Sequence, residues 1–179
     1  MFKKSKNNKM TYGIVGLGRF GTALALDLAE SGSEIIAIDS NEEKVREIRE
    51  VTENAFIVNN LEKKTLIETG IQNCDVAIVC IGEHMDSSIL TTLNLVSLGI
   101  PKVIAKAMSA EHGVILEKLG AEVVFLKEIW QFALQADLKP KECLISFNLV
   151  KELMFQKWLS LINLSAKVLR ILIFANILV

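Results

Sequence analysis

The sequence predicts an α/β domain, a doubly wound parallel sheet, followed by an appendage that is helical or poorly ordered. Three observations carry that expectation. Between Thr11 and Phe125, short apolar, β-branched runs alternate with segments of helical spacing. The runs are continuously apolar, as strands covered by helices on both faces must be. A glycine stands at or just past most helical segments, at Gly32, Gly70, Gly99 and Gly120, where a left-handed residue ends a helix at little cost. Right-handed crossovers then wind such a chain into a Rossmann-like sheet.

Taken in order, the first strand is "YGIV", and it runs through a glycine turn into a helix over 20–31. The second strand, "EIIAID", precedes a helix over 42–52, whose "EEKVREIRE" reads as a solvated face braced by i,i+4 ion pairs. The third, "NAFIV", leads to a helix over 62–69, and the fourth, "DVAIVCI", to one over 85–98. The fifth, "KVIAKA", leads to a helix over 111–119, and "EVVF" closes the sheet. After Phe125 the pattern stops. Residues 126–179 hold no glycine and one proline, Pro140, and their apolar residues follow no clear period.

Of 179 residues, 51% are apolar and 23% charged, a globular balance. A net charge of -1 gives no electrostatic footprint for nucleic acid, so none is expected as a partner. Cys74, Cys80 and Cys143 form no C-x-x-C pair and read as reduced thiols of a cytoplasmic protein. The basic start "MFKKSKNNKM" runs into the strand and glycine turn without a small-residue cleavage site, so no secretory signal is expected. In the tail, Lys167 and Arg170 split "WLSLINLSAKVLRILIFANILV" into apolar runs short of the ~20 residues a membrane span needs. A soluble protein is expected.

The turn "GLGRFG" carries the chemistry. It follows a strand and opens a helix, the context that gives G-x-G-x-x-G its meaning. Gly16 makes the tight turn, Gly18 admits a pyrophosphate close to the backbone, and Gly21 lets the helix lie on the sheet. The helix N-terminus offers free N–H groups and a positive dipole end to phosphates. Arg19 can fork onto phosphate oxygens, which keeps ATP and ADP alongside NAD(H). Asp39 lies at the spacing where a carboxylate accepts ribose hydroxyls; it would repel a 2′-phosphate, which disfavours NADP. As a plain structural residue, Asp39 would instead cap the following helix. Asn59, and "CIGE" from Cys80 to Glu83, end strands on the same edge. The candidate binding set is therefore Gly16, Leu17, Gly18, Arg19, Phe20, Gly21, Asp39, Ser40, Asn59, Ile81, Gly82 and Glu83.

No catalytic machinery accompanies this set. His84 and His112 each begin a helix and read as capping or surface residues. No Cys/His spacing suits a metal and no serine nucleophile motif appears. The sequence favours a sensor; the alternative is a small NAD-dependent oxidoreductase with an unrecognised substrate site.

The stretches "YGIVGLGRFGTALALDLAESGSEIIAIDSNEEKV" and "IGEHMDSSILTTLNLVSLGIPKVIAKAMSAEHGVILEKLGAEVVF" closely resemble the Trk/Ktr potassium-uptake regulatory subunits, whose domain is called RCK or TrkA-N. The resemblance implies a basic tail over 1–9, the nucleotide-binding domain over 10–126 and an atypical segment over 127–179. It implies that Gly16, Gly18, Arg19 and Gly21 hold phosphates, Asp39 the ribose and Asn59 the adenine side. It further implies a dimer-based ring at the inner face of the cell membrane, docked on an integral membrane potassium transporter. There, ATP against ADP, or NADH against NAD, would shift the ring and gate ion flow. Where the family usually reads Gly-Asp-Ala-Thr, this chain has "VNNLE", so Asn59 is an uncharged stand-in and Leu61 replaces a hydroxyl. The tail lacks the family's proline-glutamate turn and crossover helix. A shifted reading frame would account for it, since codons for "WQFALQAD" read one base off give a stretch like that helix.

Overall fold

A computed structural model describes residues 10–125. The expectations for 1–9 and 127–179 lie outside the described residues. The elements are β1 (Thr11–Val15), α1 (Arg19–Glu30), β2 (Glu34–Asp39), α2 (Glu42–Ile48), β3 (Ala55–Ile57) and α3 (Lys63–Glu68), then β4 (Val76–Val79), α4 (Met85–Ser97), β5 (Lys102–Ala107), α5 (Ala110–Lys118) and β6 (Glu122–Phe125). The strands pair in parallel in the order β3-β2-β1-β4-β5-β6, the doubly wound architecture expected. The order reverses between β1 and β4, and ligands of such sheets bind outside the carboxyl ends at that reversal.

Strand residues divide between two cores with a period of two. Ile14, Ala37, Ile78 and Ile104 pack with Leu24 of α1 and with Val45 and Ile48 of α2. Val15, Ile38, Val79 and Ala105 share the other core with Leu66 of α3, Leu95 of α4 and Leu116 of α5. Burying each such leucine or isoleucine contributes about 1.5–3 kcal/mol, which fixes the strand register against slippage. That register decides the site. Val15 lies beside Ile38 and Val79, Asp39 beside Ile57, and Val79 beside Ala105. The residues that follow these positions are thereby delivered to one edge.

The expected glycines do end helices: Gly32, Gly70, Gly99 and Gly120 have φ of 78°, 80°, 76° and 96°. Other boundaries moved. α2 stops at Ile48, short of 52, and Arg49 donates from Nε (3.2 Å) and Nη2 (3.1 Å) to the Ala55 carbonyl. β3 keeps only three residues and is an edge strand paired with β2 alone. A 3-10 turn at Ile71–Asn73 was not anticipated. It drives Ile71 into the core beneath β1, where a Cβ on Gly13 would meet Ile71 Cγ1 at 2.5 Å.

His112 was expected as a capping or surface residue; it is fully buried, which corrects the surface reading. It does lie near the start of α5, where its Nδ1 accepts the Met108 N–H at 3.3 Å. Burial pushes the imidazole below its ordinary value of 6.5. The unfolded chain then binds a proton that the folded one refuses, so stability is lost as pH falls below about 6.5. Urea unfolding at pH 7.5 and 5.5 is expected to show a larger acid loss for the native chain than for His112→Gln. Equal losses would contradict this account.

Candidate functional site

The carboxyl edge of the sheet opens into a cleft of about 1050 Å³, reaching from the end of β3 to the end of β5. That is cofactor-sized. The glycine turn forms its middle. Gly16 has φ of +98°, and its N–H donates to the Ile38 carbonyl at 2.8 Å, binding the turn to β2. Gly21 has no room for a side chain, because a Cβ there would collide with the Gly16 carbonyl oxygen. That absence is what lets α1 begin directly over the turn. Gly18 differs: its φ is -72° and nothing lies within 4 Å of an added Cβ. Its open space faces the cleft.

Gly18 is also the N-cap of α1, and no side chain caps that helix or places an acid in its first turn. The orphan N–H groups and the positive dipole end are thus left to an anion. Arg19 and Phe20 line the cleft there. Arg19 is exposed and has no ion-pair partner among the described residues.

Asp39 ends β2 and lines the cleft beside Ser40. Its Oδ2 accepts the Leu17 N–H at 2.5 Å and its Oδ1 the Asn41 N–H at 2.8 Å, while Lys44 Nζ lies 3.9 Å away. The carboxylate therefore ties the glycine turn to β2 and keeps lone pairs for further donors. It is not the helix cap. Asn41 caps α2, accepting the Lys44 N–H at 3.2 Å. The two asparagines after β3 also divide their roles. Asn60 Oδ1 accepts from the Thr65 hydroxyl (2.6 Å) and the Glu62 N–H (3.4 Å), whereas Asn59 lines the cleft with no side-chain partner among the described residues.

Ile81, Gly82 and Glu83 line the β4 side, so ten of the twelve expected residues meet at the cleft. Leu17 and Gly21 do not. Leu17 buries its side chain in the core and commits its N–H to Asp39, and Gly21 shapes the turn from behind.

Lys106 was missed. It is half-buried at the end of β5, close enough that a Cβ on Gly82 would meet its Nζ at 2.6 Å, and no carboxylate pairs with it among the described residues. The signal was present: a lysine interrupting "KVIAKA", a strand otherwise apolar because helices cover it. Cys80 also reaches the cleft. Burial pushes its thiol up to about 12, against the lowering effect of Lys106; burial and then Asp75 push Cys74 up to about 11. Both stay protonated at neutral pH and make poor nucleophiles. His84 stands exposed at the rim as N-cap of α4 without a capping hydrogen bond. Among the described residues no cluster of His, Cys, Asp or Glu could hold a metal, and no helix is long and apolar enough to cross a membrane.

Residues 12–127 match the family model described as the TrkA-N domain. The chain is 39% identical over 117 residues to Ktr system potassium uptake protein A of Bacillus subtilis (strain 168), covering 65% of this chain and 53% of that protein. It spans about half the length of the curated relatives it matches. In fold it is similar to the TrkA-N domain of the inner membrane protein ybaL from Escherichia coli, with a TM-score of 0.63 at 20% identity, covering 73% and 98% of the two chains. It is also similar to GsuK bound to ADP, with a TM-score of 0.54 at 26% identity, covering 67% of this chain and 31% of that one.

Proposed function

Because the chain belongs to the TrkA-N domain family, we propose that residues 10–126 form a nucleotide-binding regulatory domain of a Trk/Ktr-type potassium uptake system. One observation carries this reading: a glycine turn, an uncapped helix N-terminus and a largely buried carboxylate converge on one cofactor-sized cleft. The ligand is an adenosine nucleotide, NAD(H) or ATP/ADP, with phosphates over Gly16 and Gly18 and ribose against Asp39. Relatives that take part in potassium uptake, and a structural neighbour bound to ADP, support it.

The chain performs no reaction in this reading. Of the cleft's groups, Cys80 is held as a protonated thiol and His84 stands exposed at the rim without a capping hydrogen bond, so neither is poised for acid–base work. Its effect is instead a coupling free energy: the nucleotide prefers one shape of an assembly and so biases a membrane potassium-transport subunit at the inner face of the membrane. A homo-oligomeric ring is the assembly that family membership suggests, if residues 127–179 permit it.

Arg19 provides the test. Arg19→Ala removes an exposed side chain without an ion pair, so melting is expected to stay unchanged while ADP affinity falls about tenfold or more. Adenosine, without phosphates, should bind both chains alike. Equal ADP affinity would remove Arg19 from the site. For the transport role, the full chain should co-purify with its membrane potassium-transport subunit to an extent that ADP and ATP change. Capture indifferent to both nucleotides would contradict regulation.

A further inference from the structure

Thr91 is an orphan in the wall of the cleft. It lies on α4, fully buried, and its Oγ1 has no hydrogen-bond partner. A helical threonine ordinarily bonds the carbonyl four residues back, and its neighbour Thr92 does so, donating to the Ser88 carbonyl at 2.8 Å. Thr91 instead lines the cleft, with Ser87, Leu90 and Asn94 at the spacing of one helix face. A buried hydroxyl without a partner costs free energy, and one carried by a residue of the cleft wall is accounted for when a ligand supplies its partner.

The strand order tells which part of the ligand would do so. With phosphates on the turn after β1 and sugar on Asp39 after β2, the next position along the edge is the end of β3. There Asn94 Nδ2 donates to the Leu61 carbonyl at 2.9 Å, pinning α4 to the loop that follows β3. Between them, buried Ile38 and Val58 form an apolar floor. A flat aromatic base would rest on such a floor and offer polar atoms at its edge.

We infer that Thr91 is a base-recognition residue, its hydroxyl hydrogen-bonding the polar edge of the purine. The inference rests on the adenosine-nucleotide reading of the cleft. Thr91→Val keeps the branched shape and removes only the hydroxyl; Thr91→Ser keeps the hydroxyl. Calorimetry on the full chain with ADP, and with inorganic pyrophosphate as the probe without a base, separates the contributions.

Thr91→Val should bind ADP about fivefold or more weakly, Thr91→Ser nearly as the native chain, and pyrophosphate should bind all three alike. Thr91→Val without ligand should melt no lower than the native chain, since an unpartnered hydroxyl has gone; a purely packing residue would not combine that with weaker ADP binding. Should valine prevent folding, Thr91→Ala carries the same comparison. If Thr91→Val takes ADP as well as the native chain while Arg19→Ala does not, the base contact is refuted and the nucleotide site stands. An equal loss for pyrophosphate also refutes it. If the native chain binds no adenosine nucleotide, both fall.

Discussion

Gly21→Ala is expected to lower stability by at least about 3 kcal/mol, with melting down by about 10 °C or more. The reason is backbone, not side chain. An added Cβ meets the Gly16 carbonyl oxygen and comes within 3.2 Å of Cys80 Cβ, so neither α1 nor the turn can stay where it is. A flexible neighbour would swing away; a carbonyl held in a tight turn does not. Gly18→Ala makes the contrast. It has an ordinary φ and open space, so it should melt within about 1–2 °C of the native chain, as an exposed substitution does. Thermal unfolding followed by circular dichroism distinguishes them. Equal melting of the two variants would mean that α1 does not lie on the turn as described.

Asp39→Ala should cost two things at once. Ligand affinity should drop about 100-fold, because a carboxylate that accepts sugar hydroxyls in a partly desolvated site makes charge-assisted hydrogen bonds. The folded state should also lose about 1–3 kcal/mol, because the Leu17 N–H and Asn41 N–H lose their acceptor. Asp39→Asn separates the two. Its amide oxygen can still accept one of the backbone N–H groups, so stability should partly return while ADP affinity stays low. Titration calorimetry and melting of the same samples read both effects. An Asp39→Ala chain with native ADP affinity would leave this carboxylate a turn brace only.

The sheet and the ends of its helices were legible because they depend on local chemistry. Short, β-branched, continuously apolar runs suit strands covered on both faces, and Gly32, Gly70, Gly99 and Gly120 each take the positive φ that ends a helix. The glycine turn and Asp39 were legible because their spacing encodes a juxtaposition across neighbouring strands. Leu17 was not: the motif names the turn, but which of its members turn inward depends on the core that Ile14 and Leu24 build around it. Lys106 and Thr91 escaped for a related reason. They reach the cleft through the order β1-β4-β5 and the docking of α4, neither of which leaves a short-range mark. His112 belongs with them, since a polar residue near a helix start gives no sign that its helix will press it into the sheet.

The central claim is that an adenosine nucleotide lies along the carboxyl edge, phosphates at the turn and sugar at Asp39. Calorimetric titration of the full chain with ADP, ATP, NAD, NADH and NADP tests it most directly. Saturable one-site binding of at least one of the first four, with NADP weaker than NAD, is the expected result. No saturable heat for any of them at millimolar concentration would contradict it.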